Sequence, residues 1–264
     1  MPSLVRCLDS GCLVVSVGPA CHSSSRIAQG LKREKLAARR RSSTCGGRSA
    51  HQPGRRAVCP ADEPWIVCTE QLRRRMPRGT GLDALAHCLE AYCSPHYHPM
   101  SHGIALEGMR LVKDNLPRVY NDPEDLEARA EMMSAAAMGA VAFQKGLGAI
   151  HAISHPLGAV YNTHHGMTNA VVMPPVLRFN RDKIADKLRL AADYLGISGG
   201  YDGFYNFVLE FRKELGVPEN LTAMGIAPDR IDELAVMALE DPSTGGNPVE
   251  MTLENTKALL ADCF

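Results

Sequence analysis

The sequence predicts a mainly α protein, with an all-helical domain over residues 81–264. Apolar residues after position 80 recur three and four apart, the period of a helix that buries one face. Alternating runs of the strand type are nearly absent there. Pattern counting gives roughly seven to nine helices around a core of Leu, Ala, Met and Val.

The first helix opens at Thr80-Gly81-Leu82-Asp83 and repeats through Leu85, Ala86, Leu89 and Tyr92. The second covers 100–116 and is expected to stop before Pro117, which cannot donate a backbone hydrogen bond. The third, 124–143, has a charged start and an Ala/Met-rich remainder, as a buried helix with a solvated first turn would. Residues 146–159 form a Gly/Ala-rich helix in which Pro156 is expected to free a carbonyl and introduce a kink. Segments 165–178 and 182–195 read as two helices, followed by 203–215, 227–239 and 252–263. Thr252 is the expected cap of the last, with Glu254 in its first turn.

Residues 1–80 have a different texture. They hold 15 Lys/Arg against 5 Asp/Glu, whereas the remainder holds 14 against 24, so the zero net charge averages two unlike segments. Six of the nine cysteines also fall there, with no CxxC pair that would suggest a zinc ribbon or redox motif. Nothing resembles a disulfide framework, and a reducing cytoplasm is the expected location. No apolar run reaches the roughly 18 residues of a membrane span. The cluster Lys32, Arg33, Lys35, Arg39, Arg40 and Arg41 has no interleaved aromatics and no reader motif after it, which argues against nucleic-acid binding.

Chemistry concentrates in the helical part. Asp83 and His87 are four apart, as are His151 and His155, so each pair shares a helix face. His165 follows just before Gly166. Imidazoles with one carboxylate suit iron(II) or zinc, but spacing alone leaves a metal site and ordinary core or surface histidines equally open. A hydrolase of the His-Asp type has less support, because no His-Asp dipeptide occurs.

Four motifs carry a resemblance. Gly81-Leu82-Asp83-Ala84-Leu85-Ala86-His87 with Glu90-Ala91-Tyr92 resembles the first metal motif of the iron-containing alcohol dehydrogenases. Gly146-Leu147-Gly148, His151 and His155-Pro156-Leu157-Gly158-Ala159 resemble the second, and His165-Gly166 with Asn169-Ala170 the third. Thr244-Gly245-Gly246-Asn247-Pro248 is similar to the closing motif. The resemblance implies the C-terminal helical domain of the iron-containing alcohol dehydrogenase and dehydroquinate synthase-like fold. It also implies metal ligation by Asp83, His87, His151 and His165. His155 would be a non-ligand histidine near the nicotinamide that helps relay a proton, and Phe143 and Ser243 would line the substrate and cofactor pocket. The implied cofactors are Fe(II), with zinc as the alternative, and NAD or NADP. The implied partners are a small alcohol or aldehyde and a second copy of the chain in a homodimer.

That family also carries an N-terminal α/β domain with a glycine-rich pyrophosphate loop. Here Leu13, Val14, Val15, Ser16, Val17 and Gly18 resemble the strand and first glycine, and Pro19-Ala20-Cys21 replaces the rest. Pro19 lacks an N–H, and two side chains occupy places where backbone must approach phosphate. Residues 1–80 are therefore expected to be a degenerate or disordered remnant of that domain, produced by a truncated and frameshifted reading frame. The alternative to an active dehydrogenase is thus a metal-binding fragment without catalysis.

Overall fold

A computed structural model of the chain describes residues 77–264, and every regular element among them is helical. Expectations that fall on residues 1–76, including the Gly18 loop and all but the last four residues of the expected remnant domain 1–80, lie outside the described residues. Eight α-helices are described, α1 (Pro77–Cys93), α2 (Pro99–Asn121), α3 (Leu126–Ala142), α4 (Ala149–Tyr161), α5 (His165–Leu195), α6 (Gly200–Glu214), α7 (Ile231–Glu240) and α8 (Leu253–Ala261). None of them is long and apolar enough to cross a membrane.

Helix α1 packs against α2, α3 and α5 and forms the centre of the domain. Its expected apolar positions Leu82, Leu85, Ala86, Leu89 and Tyr92 are buried, and so are Ala84, Cys88 and Ala91 on its other sides. A helix with buried residues on every side belongs in a core, and its polar Asp83, His87 and Glu90 then need partners inside it. Its last carbonyls still need donors, and two lysines supply them. Lys145 Nζ donates to the carbonyls of Ala91 and Ser94, and Lys187 Nζ to those of Cys93 and Ser94. Their positive charge also opposes the negative end of the helix dipole.

Two sequence expectations change. Helix α2 runs through Pro117 to Asn121 instead of stopping before the proline. Pro117 and Lys113, whose carbonyl loses its partner, lie on a half-exposed side where water can bond that carbonyl. Past the proline, buried Val119 continues the packed row of Ala105, Met109, Val112 and Leu116, which holds the last turn in register. The segments 165–178 and 182–195 form one 31-residue helix, α5. Residues 179–181, Phe179-Asn180-Arg181, join them. Asn180 is buried, and its amide exchanges hydrogen bonds with Asn247 at 2.8 and 2.9 Å. A partner 67 residues away thus lets the helix run on through a buried polar residue.

The remaining ends follow local chemistry. Asp125 caps α3 through its bond from the Ala128 N–H. Asn162 ends α4 in the left-handed conformation. Thr252 caps α8 in a reciprocal capping box with Asn255, as its type and position led one to expect. Helix α4 continues through Pro156 to Tyr161.

Candidate metal centre

Three helices bring the candidate ligands together. Asp83 and His87 stand one turn apart on α1, His151 lies in the first turn of α4, and His165 is the first residue of α5. Asp83 Oδ1 is 3.3 Å from His165 Nε2, 3.6 Å from His151 Nε2 and 3.9 Å from His87 Nε2. Asp83, His151 and His165 each offer one ligand atom, and all three atoms lie within 4.8 Å of one another. His87 is the outlying member. Its ring stacks on His151 with centroids 4.7 Å apart and tilts against Phe143 at 5.1 Å. Donor atoms bonded at about 2.0–2.2 Å to one ion sit roughly 3–3.5 Å apart. The contacts that Asp83 makes with His151 and His165 are close to that spacing, so the residues present fit a borderline metal ion.

The electrostatics favour a cation. Burial opposes a charged Asp83, but its contacts with His151 and His165 and the nearby His87 outweigh burial and hold the carboxyl well below the usual carboxylate range. Burial pushes His87 down to about 4. Burial would also lower His151, but the carboxylates of Glu90 and Asp83 prevail and lift it to about 9. Ligation uses an unprotonated imidazole nitrogen, so ion binding at His151 would be favoured as pH rises.

Glu90, part of the first motif, supports His151. It is buried on α1, two turns after Asp83. One carboxylate oxygen is 2.6 Å from His151 Nδ1 and the other accepts the Ile150 N–H at 2.6 Å. This pair fixes a proton on Nδ1 and turns Nε2 toward Asp83, the arrangement that orients metal-bound imidazoles. Glu90→Gln is expected to weaken ion affinity about 10–100-fold. A chelator-competition titration of the variant measures it, and an unchanged affinity would contradict this role.

A second unforeseen group is Asn169, one turn after His165 on α5. Its Nδ2 donates to Asp83 Oδ1 at 2.7 Å and lies 3.0 Å from His165 Nε2. The spacing of four residues from His165 was the signal that could have found it.

His155 lies beside the cluster. Its imidazole is 43% exposed, stacks on His165 with centroids 5.3 Å apart, and places Nδ1 2.7 Å from Asp241 Oδ2. The other Asp241 oxygen accepts the Ser243 N–H at 2.8 Å. Nothing in the sequence tied Asp241 to His155, 86 residues away. Ser243 is buried in the short 3-10 turn Pro242–Gly246, which packs on α4, and Phe143 is half-buried beside His87. The closing motif also has a structural task. Asn247 Oδ1 accepts the Ala149 N–H at 3.1 Å, so it caps the helix that carries His151.

Residues 79–264 match the model of the Fe-containing alcohol dehydrogenase family, C-terminal. A 4-hydroxybutyrate dehydrogenase of Cupriavidus necator is 39% identical over 210 residues, covering 74% of this chain and 54% of that protein. An NAD-dependent methanol dehydrogenase of Bacillus methanolicus is 34% identical, covering 75% and 55%. The chain thus spans about half the length of the curated relatives it matches. Among solved structures, a 1,3-propanediol oxidoreductase superposes with a TM-score of 0.69 at 28% identity, over 73% of this chain and 53% of that one.

Proposed function

Because this chain belongs to the Fe-containing alcohol dehydrogenase family, we propose that its helical region is the metal-binding catalytic half of an NAD(P)-dependent dehydrogenase acting on a small alcohol or aldehyde. The convergence of Asp83, His151 and His165, with His87 beside them, is the observation that carries this reading.

In this reading, the four residues hold one Fe(II) or Zn(II) ion. Such an ion supplies Lewis acidity toward the oxygen of an alcohol or carbonyl. The chain's own groups do the rest. Buried Glu90 and Asn169 set the directions of His151 and Asp83, so little reorganisation is needed when charge develops at the substrate oxygen. Exposed His155 can pass a proton between this region and water, and Asp241 orients its ring by the contact at Nδ1. Phe143, beside His87, and Ser243, beside Asp241, are proposed to border the space for substrate and nicotinamide. Hydride transfer needs the nicotinamide within about 3–3.5 Å of the reacting carbon. A homodimer accompanies this reading, as the family resemblance implies.

A second reading has its own support. The sequence Gly18-Pro19-Ala20-Cys21 resembles a glycine-rich pyrophosphate loop only at its first glycine. In this second reading the chain binds the ion without dehydrogenase activity. Reconstitution with Fe(II) or Zn(II), followed by an assay of NAD or NADP reduction with short alcohols, tests both. Alcohol-dependent reduction that stops on chelation supports the first reading. Tight ion binding without reduction supports the second.

A further inference from the structure

We propose that Asn169 is a positioning residue for the ion, a buried amide on α5 that holds the Asp83 carboxylate of α1 in the orientation one metal ion requires. The inference rests on the metal-centre reading and goes beyond its four ligands.

Asn169 is completely buried. Its amide nitrogen makes every polar contact, 2.7 Å to Asp83 Oδ1, 3.0 Å to His165 Nε2 and 3.3 Å to His151 Nε2. Its amide oxygen is also buried and has no hydrogen-bond partner among the described residues. An orphaned buried oxygen costs stability, and an apolar side chain of similar size would avoid that cost. The surroundings therefore give the oxygen no reason to be there, and the ligand atoms give the nitrogen one. One N–H donates to Asp83 Oδ1, an oxygen whose second lone pair stays free for an ion. His165 Nε2, 3.3 Å from that oxygen, has a single lone pair, so its contact with the amide gives way when the ion binds. The bond to Asp83 also selects the oxygen that faces the histidines. A carboxylate free to rotate would have to be ordered when the ion binds. Because Asn169 sits one turn from His165 on the same helix, it carries the spacing of α5 directly onto α1.

The test uses the full chain, with Zn(II) and anaerobic Fe(II) as the probes. Asn169→Leu removes both the donor and the orphaned oxygen, and Asn169→Ala removes the side chain. A merely structural role predicts a lower melting temperature and unchanged affinity in whichever variant folds. The positioning role predicts that Asn169→Leu, whatever its melting temperature without metal, binds the ion about 10–100-fold more weakly in chelator competition. In the unsubstituted chain, the Asn169 side-chain amide signals in an NMR spectrum should shift on addition of Zn(II). Affinity within about threefold of the parent, or amide signals that do not move, overturns the proposal. Failure of the unsubstituted chain to bind either ion would instead overturn the metal-centre reading itself.

Discussion

His151→Ala is expected to abolish tight ion binding and to destabilise the metal-free protein as well. The loss of a ligand should exceed the roughly 10–100-fold penalty of losing a supporting group. The second effect comes from Glu90. Its carboxylate is buried 2.6 Å from His151 Nδ1, and removing the imidazole leaves a buried charge facing a cavity. Breaking a buried pair from one side costs about 3–5 kcal/mol. The Ile150 N–H still donates to Glu90 and offsets part of this. Adding Glu90→Gln to His151→Ala should therefore restore stability without restoring ion binding. Thermal melts and chelator titrations of the single and double variants measure the two effects separately. Equal stability of the parent and His151→Ala would contradict the account of the buried pair.

Gly166→Ala is the second large effect, and it acts through backbone. A Cβ at position 166 would lie 2.1 Å from the Gly79 carbonyl oxygen and 3.0 Å from Asp83 Cβ. The near atom is main chain, so no flexible side chain can give way. The start of α5 and the first turn of α1 would have to part, and that moves His165 away from Asp83. Overpacking of this kind costs about 1–3 kcal/mol, or roughly 2–12 °C of melting temperature for a domain of this size. Ion affinity should fall more than about tenfold, on the scale of lost supporting contacts. Gly158→Ala is the control. Nothing lies within 4 Å of a Cβ there, so the substitution should be neutral or stabilising by up to about 1 kcal/mol. Similar losses in both variants would refute the close-approach argument.

The helices and the ligand types were legible because their signals are local. The repeat Leu82, Leu85, Ala86, Leu89 announces α1, and Asp83 and His87 occur one turn apart on it. Thr252 announces the start of α8. What the sequence hid depends on distant partners. Asn180 is held inside α5 by Asn247, 67 residues away, and Pro117 reads as a stop until Val119 is seen packed beyond it. The same holds at the site. Asp241 joins His155 only through the fold, whereas Glu90 and Asn169 had helical spacings that could have exposed them. The glycine after His165 is visible in the sequence only as part of a motif. Its physical reason, the Gly79 carbonyl pressed against it, exists only in the packed structure.

Extended X-ray absorption and crystallography of the Zn(II)- or Fe(II)-loaded chain test the central assignment most directly. The expected result is one ion per chain, about 2.0–2.2 Å from an Asp83 oxygen and from one imidazole nitrogen each of His87, His151 and His165. An ion held elsewhere, or one that leaves Asp83 or any of these histidines outside its coordination shell, would contradict it.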